Sequence, residues 1–278
     1  MIRSLVLLIW LFVSINDVGA QTPDAPTQKK RAKGTLYASW GYNREWYSKS
    51  DIHIKNDGDV SQQNQYGSYD FTLHNAKAND RDDFDQIYDV GNITIPQFSA
   101  RLGYLFNDKH DLGIEINYDH AKYVMNDYQN LHVTGQIFGT AIDKDTVIDP
   151  TTFLHFEHTD GANFLSVNLV KRKQIYNAPS KKLRFSAVFK AGPGLVYPRT
   201  DVTLFGTRVN NKWHVAGYIA SAEVGPRLEF FRYFFTEFTG KVGFANYTNV
   251  LVLDDAGKAN HKFTTVMMTF TFGFQVPL

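Results

Sequence analysis

The chain has no cysteine among its 278 residues. That excludes disulfides, thiolate metal sites and a lipidated cysteine behind an export signal. Beyond the first twenty residues it also lacks any long apolar run, so no helix is expected to cross ~30 Å of hydrocarbon. Charge of one sign is missing too. Lys and Arg number 29 against 28 acids, a formal net charge of +1. A near-neutral total argues against nucleic acid as a partner. No Ser-His-Asp order, glycine-rich phosphate loop or HExxH motif occurs, and no cofactor and no metal is expected.

What is present starts with an export signal. Arg3 supplies a positive n-region, residues 5–13 an apolar core, and Val18-Gly19-Ala20 a small-residue exit, with cleavage expected after Ala20. Residues 21–33 contain proline and then a run of bases, and read as a flexible periplasmic leader. Aromatic side chains make up 15% of the chain although its mean hydropathy is −0.31. A soluble secreted β-sandwich would reconcile these poorly. A barrel with an aromatic-rich exterior and a polar interior reconciles them well.

The stretch 261–278 carries the clearest pattern. Val266, Met268, Phe270, Phe272, Phe274 and Val276 share one parity; Thr265, Thr269, Thr271, Gly273 and Gln275 share the other. Only a strand places such a set on one face. The same alternation recurs over 34–47, 96–106, 111–124, 151–176, 182–197, 214–231 and 234–249. Turns fall at 107–110, 177–181 and 232–233, and longer polar connections at 48–95, 125–149, 199–213 and 254–260, with some strand character over 131–142. A bulge is expected at Gly161 within 151–176. Eight strands with alternating short and long connections predict an all-β fold, an eight-stranded antiparallel up-and-down transmembrane β-barrel. Ten strands would result if 51–55 and 69–74 joined the wall; otherwise they form a hairpin above the membrane. The domain reading is signal peptide 1–20, leader 21–33 and barrel 34–278, with 48–95 as the first external loop.

Parity assigns Glu45, Glu115, Asp119, Glu223, Glu229 and Glu237 to the lumen, against Arg101, Arg184, Lys190, Arg227 and Lys241. An eight-stranded barrel has room inside only for side chains. Six acids and five bases confined there should pair across the lumen, because isolated buried charges are costly. The pattern predicts a plug of ion pairs and not a wide pore.

The densest chemistry lies near the outer rim, in Asp119, His120, His155, Glu157, His158 and Asp160. If the third and fourth strands pair, these become neighbours. His155 and His158 are three apart, which on one strand places them on opposite faces and weakens a two-histidine chelate. His158, Asp160 and Asn163 form the candidate catalytic set of a lipid hydrolase. The position two after His158 is Asp160 where such enzymes use serine, and a carboxylate is a poor nucleophile toward lipid esters.

Residues 40–56 (WGYNREWYSKSDIHIKN), 69–80 (YDFTLHNAKAND), 118–125 (YDHAKYVM) and 156–164 (FEHTDGANF) together resemble a family of Bacteroidetes outer-membrane β-barrel proteins. The likeness spans most of the chain after the leader and implies a fold and a location, not an activity. In size the chain also resembles small barrels of the OmpA and OmpW kind, a likeness of architecture only. The expectation is an integral bacterial outer-membrane protein with a structural or interaction role through its external loops. Its partners would be outer-membrane lipid and other envelope proteins. A lipid-modifying hydrolase centred on His158, or a narrow channel or small-ligand binder, are the alternatives.

Overall fold

The computed structural model describes residues 34–56, 67–80, 97–107, 110–158, 160–254 and 256–278. The expected export signal and leader, and much of 48–95, lie outside the described residues. In chain order the strands are β1 (Thr35–Tyr47), β2 (Ser50–Lys55), β3 (Tyr69–Ala76), β4 (Ala78–Asn79), β5 (Phe98–Leu105) and β6 (Leu112–His120). Then come β7 (Tyr123–Met125), β8 (Asn130–Ile137), β9 (Thr140–Val147), β10 (Leu154–His158), β11 (Phe164–Asn177) and β12 (Leu183–Val196). The last five are β13 (Asp201–Leu204), β14 (Thr207–Asn210), β15 (Gly217–Phe230), β16 (Phe234–Val252) and β17 (Gly257–Pro277).

Eight of these close a ring in the order β1-β5-β6-β11-β12-β15-β16-β17, with β17 pairing back onto β1. Every pairing is antiparallel. Followed round the ring, the register starting at Ser39 passes Arg101, Asn117, Ser166, Gly194, Ile219 and Ala245 to reach Phe263. Ser39 itself sits opposite Gly273, ten residues further on. That stagger is the shear of a closed barrel, and closure leaves no free edge in the wall.

The polarity of the ring is inside out. Leu102, Leu169, Val242, Phe270 and Phe272 point outward and are exposed, Phe272 at 62%. Ser99, Asn117, Glu115, Thr269 and Thr271 point inward and are buried. Such an exterior matches hydrocarbon, and two bands of outward aromatics match its interfaces. Phe106, Phe231, Tyr233, Phe234 and Phe274 lie toward the basal end, where β1 begins and β17 finishes. Trp40, Tyr197, Trp213 and Tyr218 lie toward the other, distal end.

At the distal end β16 and β17 outrun the ring. β1 pairs with β17 only as far as Thr265, and beyond it β2 takes over the same edge at Lys258 to His261. β3, β8 and β9 then extend that sheet in order. A second sheet, β14-β13-β10-β7-β4, lies across it. Ile52, Ile54, Phe71, Leu73 and Val133 from the first sheet meet Tyr123, Met125, Leu154, Phe156, Val202 and Leu204 from the second, all buried in one core. Each such side chain contributes roughly 2 kcal/mol by leaving water. Two hairpins rest on Phe-Gly turns. Phe138 and Gly139, like Phe205 and Gly206, all have positive φ, the pattern of a two-residue hairpin loop, and the two phenyl rings pack 4.8 Å apart.

Several expectations are thereby corrected. The connection 125–149 has the strand character expected over 131–142, as the hairpin β8–β9, and 199–213, expected as a loop, is the hairpin β13–β14. Residues 254–260 are mostly strand, because β16 and β17 nearly meet. The strand expected over 111–124 stops at His120, and 123–125 belongs to the second sheet. The single strand expected over 151–176 is two strands in different sheets. They separate at Gly161, whose φ of +121° suits only glycine and where a Cβ would strike the Asn163 side chain. The segments 51–55 and 69–74 form the hairpin β2–β3 above the ring and take no part in it, so the ring has eight strands and not ten.

The wall makes a prediction. Phe270→Arg, midway along the outward face of β17, should destabilise the barrel by about 2–4 kcal/mol in bilayers, and Leu36→Arg near the basal interface by about 1 kcal/mol or less. Urea unfolding in vesicles measures both; equal costs would contradict the assigned lipid face.

Candidate functional site

Two constellations merit description, one inside the ring and one inside the sandwich. Inside the ring, alternation aims every second side chain at the lumen, and three layers of charge result. In the middle layer Lys190 Nζ donates to Glu115 at 2.9 Å and to Glu237 at 2.8 Å. Arg101 pairs with Glu223 at 2.5 Å, and the Tyr37 hydroxyl donates to Glu115 at 2.8 Å. Toward the distal end Lys241 pairs with Asp119, which also accepts from Ser99 at 2.5 Å and Asn117 at 2.8 Å. Toward the basal end Arg227 donates to Glu237 at 2.9 Å, Glu229 at 3.1 Å and Gln275 at 2.6 Å. Its guanidinium lies 3.4 Å from the centre of the Phe235 ring.

Parity reading missed one member of this network, Arg172. It shares the inward parity of Ser166, Asn168 and Val170, and it donates to Glu229 and to Asp111, both at 2.8 Å. Arg184 completes the basal group with Glu229 at 3.2 Å. Glu45 differs from the other acids. It accepts from the hydroxyls of Tyr47 at 2.6 Å and Thr265 at 3.2 Å, and makes no ion pair among the described residues.

The six rim residues do not converge. Asp119 belongs to the lumen layer just described. His120 Nδ1 lies 2.8 Å from the Asn163 amide oxygen. Asp160 pairs with Arg199 at 2.9 Å. His155 sits between Asp127 at 2.9 Å and Glu157 at 3.3 Å. These carboxylates, Glu157 foremost, raise its pKa to about 9.

His158 shares the sandwich strand β10 with His155 and Glu157 but is turned into the core above the distal mouth. Its Nδ1 is 2.9 Å from the Thr200 hydroxyl and its Nε2 is 3.2 Å from Nε2 of His261. Tyr247 stacks on His158 with ring centres 4.9 Å apart, and Tyr123 and Phe156 complete an aromatic cage. A hydroxyl, an imidazole and a second imidazole in line resemble the spacing of a nucleophile, a base and its orienting group. Here Thr200, His158 and His261 are 2%, 0% and 3% exposed, so the relay is sealed in the core. His261 lies on the overhang of β17 paired with β2, above the lipid-facing stretch. A pair joining positions 103 apart on β10 and β17 leaves no local signal in the sequence. Among the described residues no three His, Cys, Asp or Glu side chains are grouped as metal ligands.

No family model matches the chain, and no curated protein matches it. Among solved structures it is similar to the outer-membrane protein OprG from Pseudomonas aeruginosa, 11% identical with a TM-score of 0.40, over 88% of this chain and 97% of that one. It is similar to Neisserial surface protein A at 10% identity and a TM-score of 0.35, over 87% and 99%. It is also similar to Ail, the attachment invasion locus protein of Yersinia pestis, solved with the heparin analogue sucrose octasulfate. That match has 10% identity and a TM-score of 0.32, over 88% and 99%.

Two predictions follow from this geometry. Lys190→Met leaves Glu115 and Glu237 without their shared cation and should destabilise the barrel by about 3–5 kcal/mol in denaturant titrations; a neutral effect would show that the lumen charges are hydrated. The second concerns acid. Burial holds the imidazoles of His158 and His261 neutral, lowering the pKa of His158 well below the ordinary 6.5 and that of His261 to about 3. The unfolded sandwich takes up protons that the folded one refuses, so stability falls as pH drops below 6.5. At pH 5 the loss is about 2 kcal/mol for each imidazole. His155 cannot cause it, since its raised pKa gives stability that is present in acid and lost as pH rises through about 9. Hydrogen exchange of sandwich amides at pH 7.5 and pH 5 should show the loosening; equal protection at both would refute it.

Proposed function

We propose that this protein is an integral outer-membrane β-barrel whose lumen is a structural plug and whose distal sandwich is an interaction module outside the cell. The basal end, with its short turns, then faces the periplasm. One observation carries the reading: strands that outrun the membrane-spanning ring build a second folded core instead of mobile loops. A core of that size has no purpose in anchoring the barrel, and it holds a broad surface in fixed shape. Its solvent face displays His53 against Asp70 at 2.7 Å and His132 between Asp143 and Asp145, each at 3.0 Å. Such a polar, hydrogen-bonding sheet suits a macromolecular partner better than a lipid. The Bacteroidetes family resemblance agrees with the location and supplies no competing activity.

The channel reading gains nothing from a lumen whose middle layer links Arg101, Glu115, Lys190, Glu223 and Glu237. The hydrolase reading needs His158 in reach of a substrate, and the cage denies it. The barrel reconstituted in planar bilayers should therefore be silent, and His158→Ala should leave outer-membrane lipids unchanged in a fatty-acid release assay. Unitary current steps in the first measurement, or lipid hydrolysis lost on that substitution in the second, would replace this reading.

A further inference from the structure

The basal mouth of the barrel differs from its interior in charge. A cleft of about 270 Å³ opens there, lined by Arg172, Lys181, Lys182, Arg184 and Arg232, with Glu229 as its one acidic wall residue. Glu229 is already engaged by Arg172, Arg184 and Arg227, and Asp111 by Arg172. Lys181, Lys182 and Arg232 make no ion pair among the described residues, and all three are exposed. Backbone geometry holds two of them at the rim. Lys181 and Arg232 have φ of +57° and +70° in the β11–β12 and β15–β16 turns, which brings the two turns' cations to one opening. The Nε groups of Arg172 and Arg184 are buried with no hydrogen-bond partner. A buried guanidinium donor without an acceptor is unfavourable, and an anion in the cleft brings acceptor charge close to both guanidinium groups.

We infer that this basal cleft binds a phosphate-bearing anion. Five cations faced by Glu229 and Asp111 leave an excess of three positive charges. One carboxylate would offset a single unit of it. A phosphate dianion or a pyrophosphate offsets two or more and offers oxygens in several directions to two lysines and an arginine at once. The neutral total of the chain conceals this, because the surplus is confined to one end. The cleft itself supports the anion; only its periplasmic address rests on the function proposed above. The phosphate could belong to a soluble molecule or to a lipid headgroup at the inner leaflet.

The test uses the full barrel in maltoside micelles, titrated calorimetrically with inorganic phosphate and with pyrophosphate. The comparison is the triple variant Lys181→Gln, Lys182→Gln and Arg232→Gln. These side chains are exposed and unpaired, so the variant should keep its heat-shifted migration on gels. Saturable binding that weakens at least tenfold in the triple variant supports the site. If added phosphatidic acid, a lipid phosphomonoester that can carry two charges, competes the phosphate away, the occupant is a lipid headgroup; indifference to it assigns a soluble phosphate. No saturable binding of either probe, or equal binding by the folded triple variant, overturns the proposal. That result would leave the interaction role of the sandwich standing, since the two lie at opposite ends.

Discussion

Mutual neutralisation of charge inside a closed ring is the interaction on which the rest of this structure depends. Lys190 alone would be intolerable where it sits, buried among strands. So would Glu115, Glu223 or Glu237. Joined at 2.5–2.9 Å through Lys190 and Arg101, their charges offset one another, although Arg101 Nε and Nη2, Glu115 Oε1 and Glu223 Oε2 are buried without a hydrogen-bond partner. Removing any one strands its neighbours, so the group behaves as a unit. The ring can therefore close on a charged interior, and its exterior is left to the apolar residues.

The distal sandwich follows from the same wall. β16 and β17 are the longest strands, 19 and 21 residues, and their upper parts have no ring partner on one side. A free edge above the membrane invites pairing. β2 occupies it, β3, β8 and β9 extend it, and the second sheet covers the apolar face so created. The barrel thus serves as a template for the module above it. His261 marks the junction: its strand belongs to the wall, while its ring belongs to the sandwich core beside His158.

The wall was legible in the sequence and the sandwich largely was not, for a physical reason. A strand between lipid and lumen has two contrasting faces, and a period of two survives in each of the eight. Leu112, Ile114 and Ile116 against Gly113, Glu115 and Asn117 is typical. β10 lies between the sandwich core and its own sheet's packing, so Phe156, Glu157 and His158 are all buried and no alternation appears. β7 has three residues, too few to show a period. The turns at Phe138 and Phe205 lack the Asn-Gly or Asp-Gly signature, because the phenyl rings serve the core while the backbone turns. In β2 and β3 the alternation of Ile52 and Ile54, and of Phe71 and Leu73, was readable. What they pack against lies far away in sequence and was not. Parity put eleven charges in the lumen and passed over Arg172; it gave no sign of the histidine pair.

Parity also explains why so many charges line a lumen that an apolar filling would stabilise as well. In a barrel with lipid outside, an apolar interior would make the two faces of each strand equivalent. A slip of one residue would then exchange inside for outside at little cost. With Glu115, Lys190, Arg227, Glu237 and Lys241 on the inner parity, the same slip drives several charges into hydrocarbon, at about 2–4 kcal/mol for each cation near the midplane. The penalty grows with every strand that shares the error, so the staggered register of the ring is selected against its nearest competitors by the residues that look least at home in a membrane. Stability alone would not require them. Uniqueness of the pairing does, and the distal sandwich, built on the upper ends of those same strands, inherits that register.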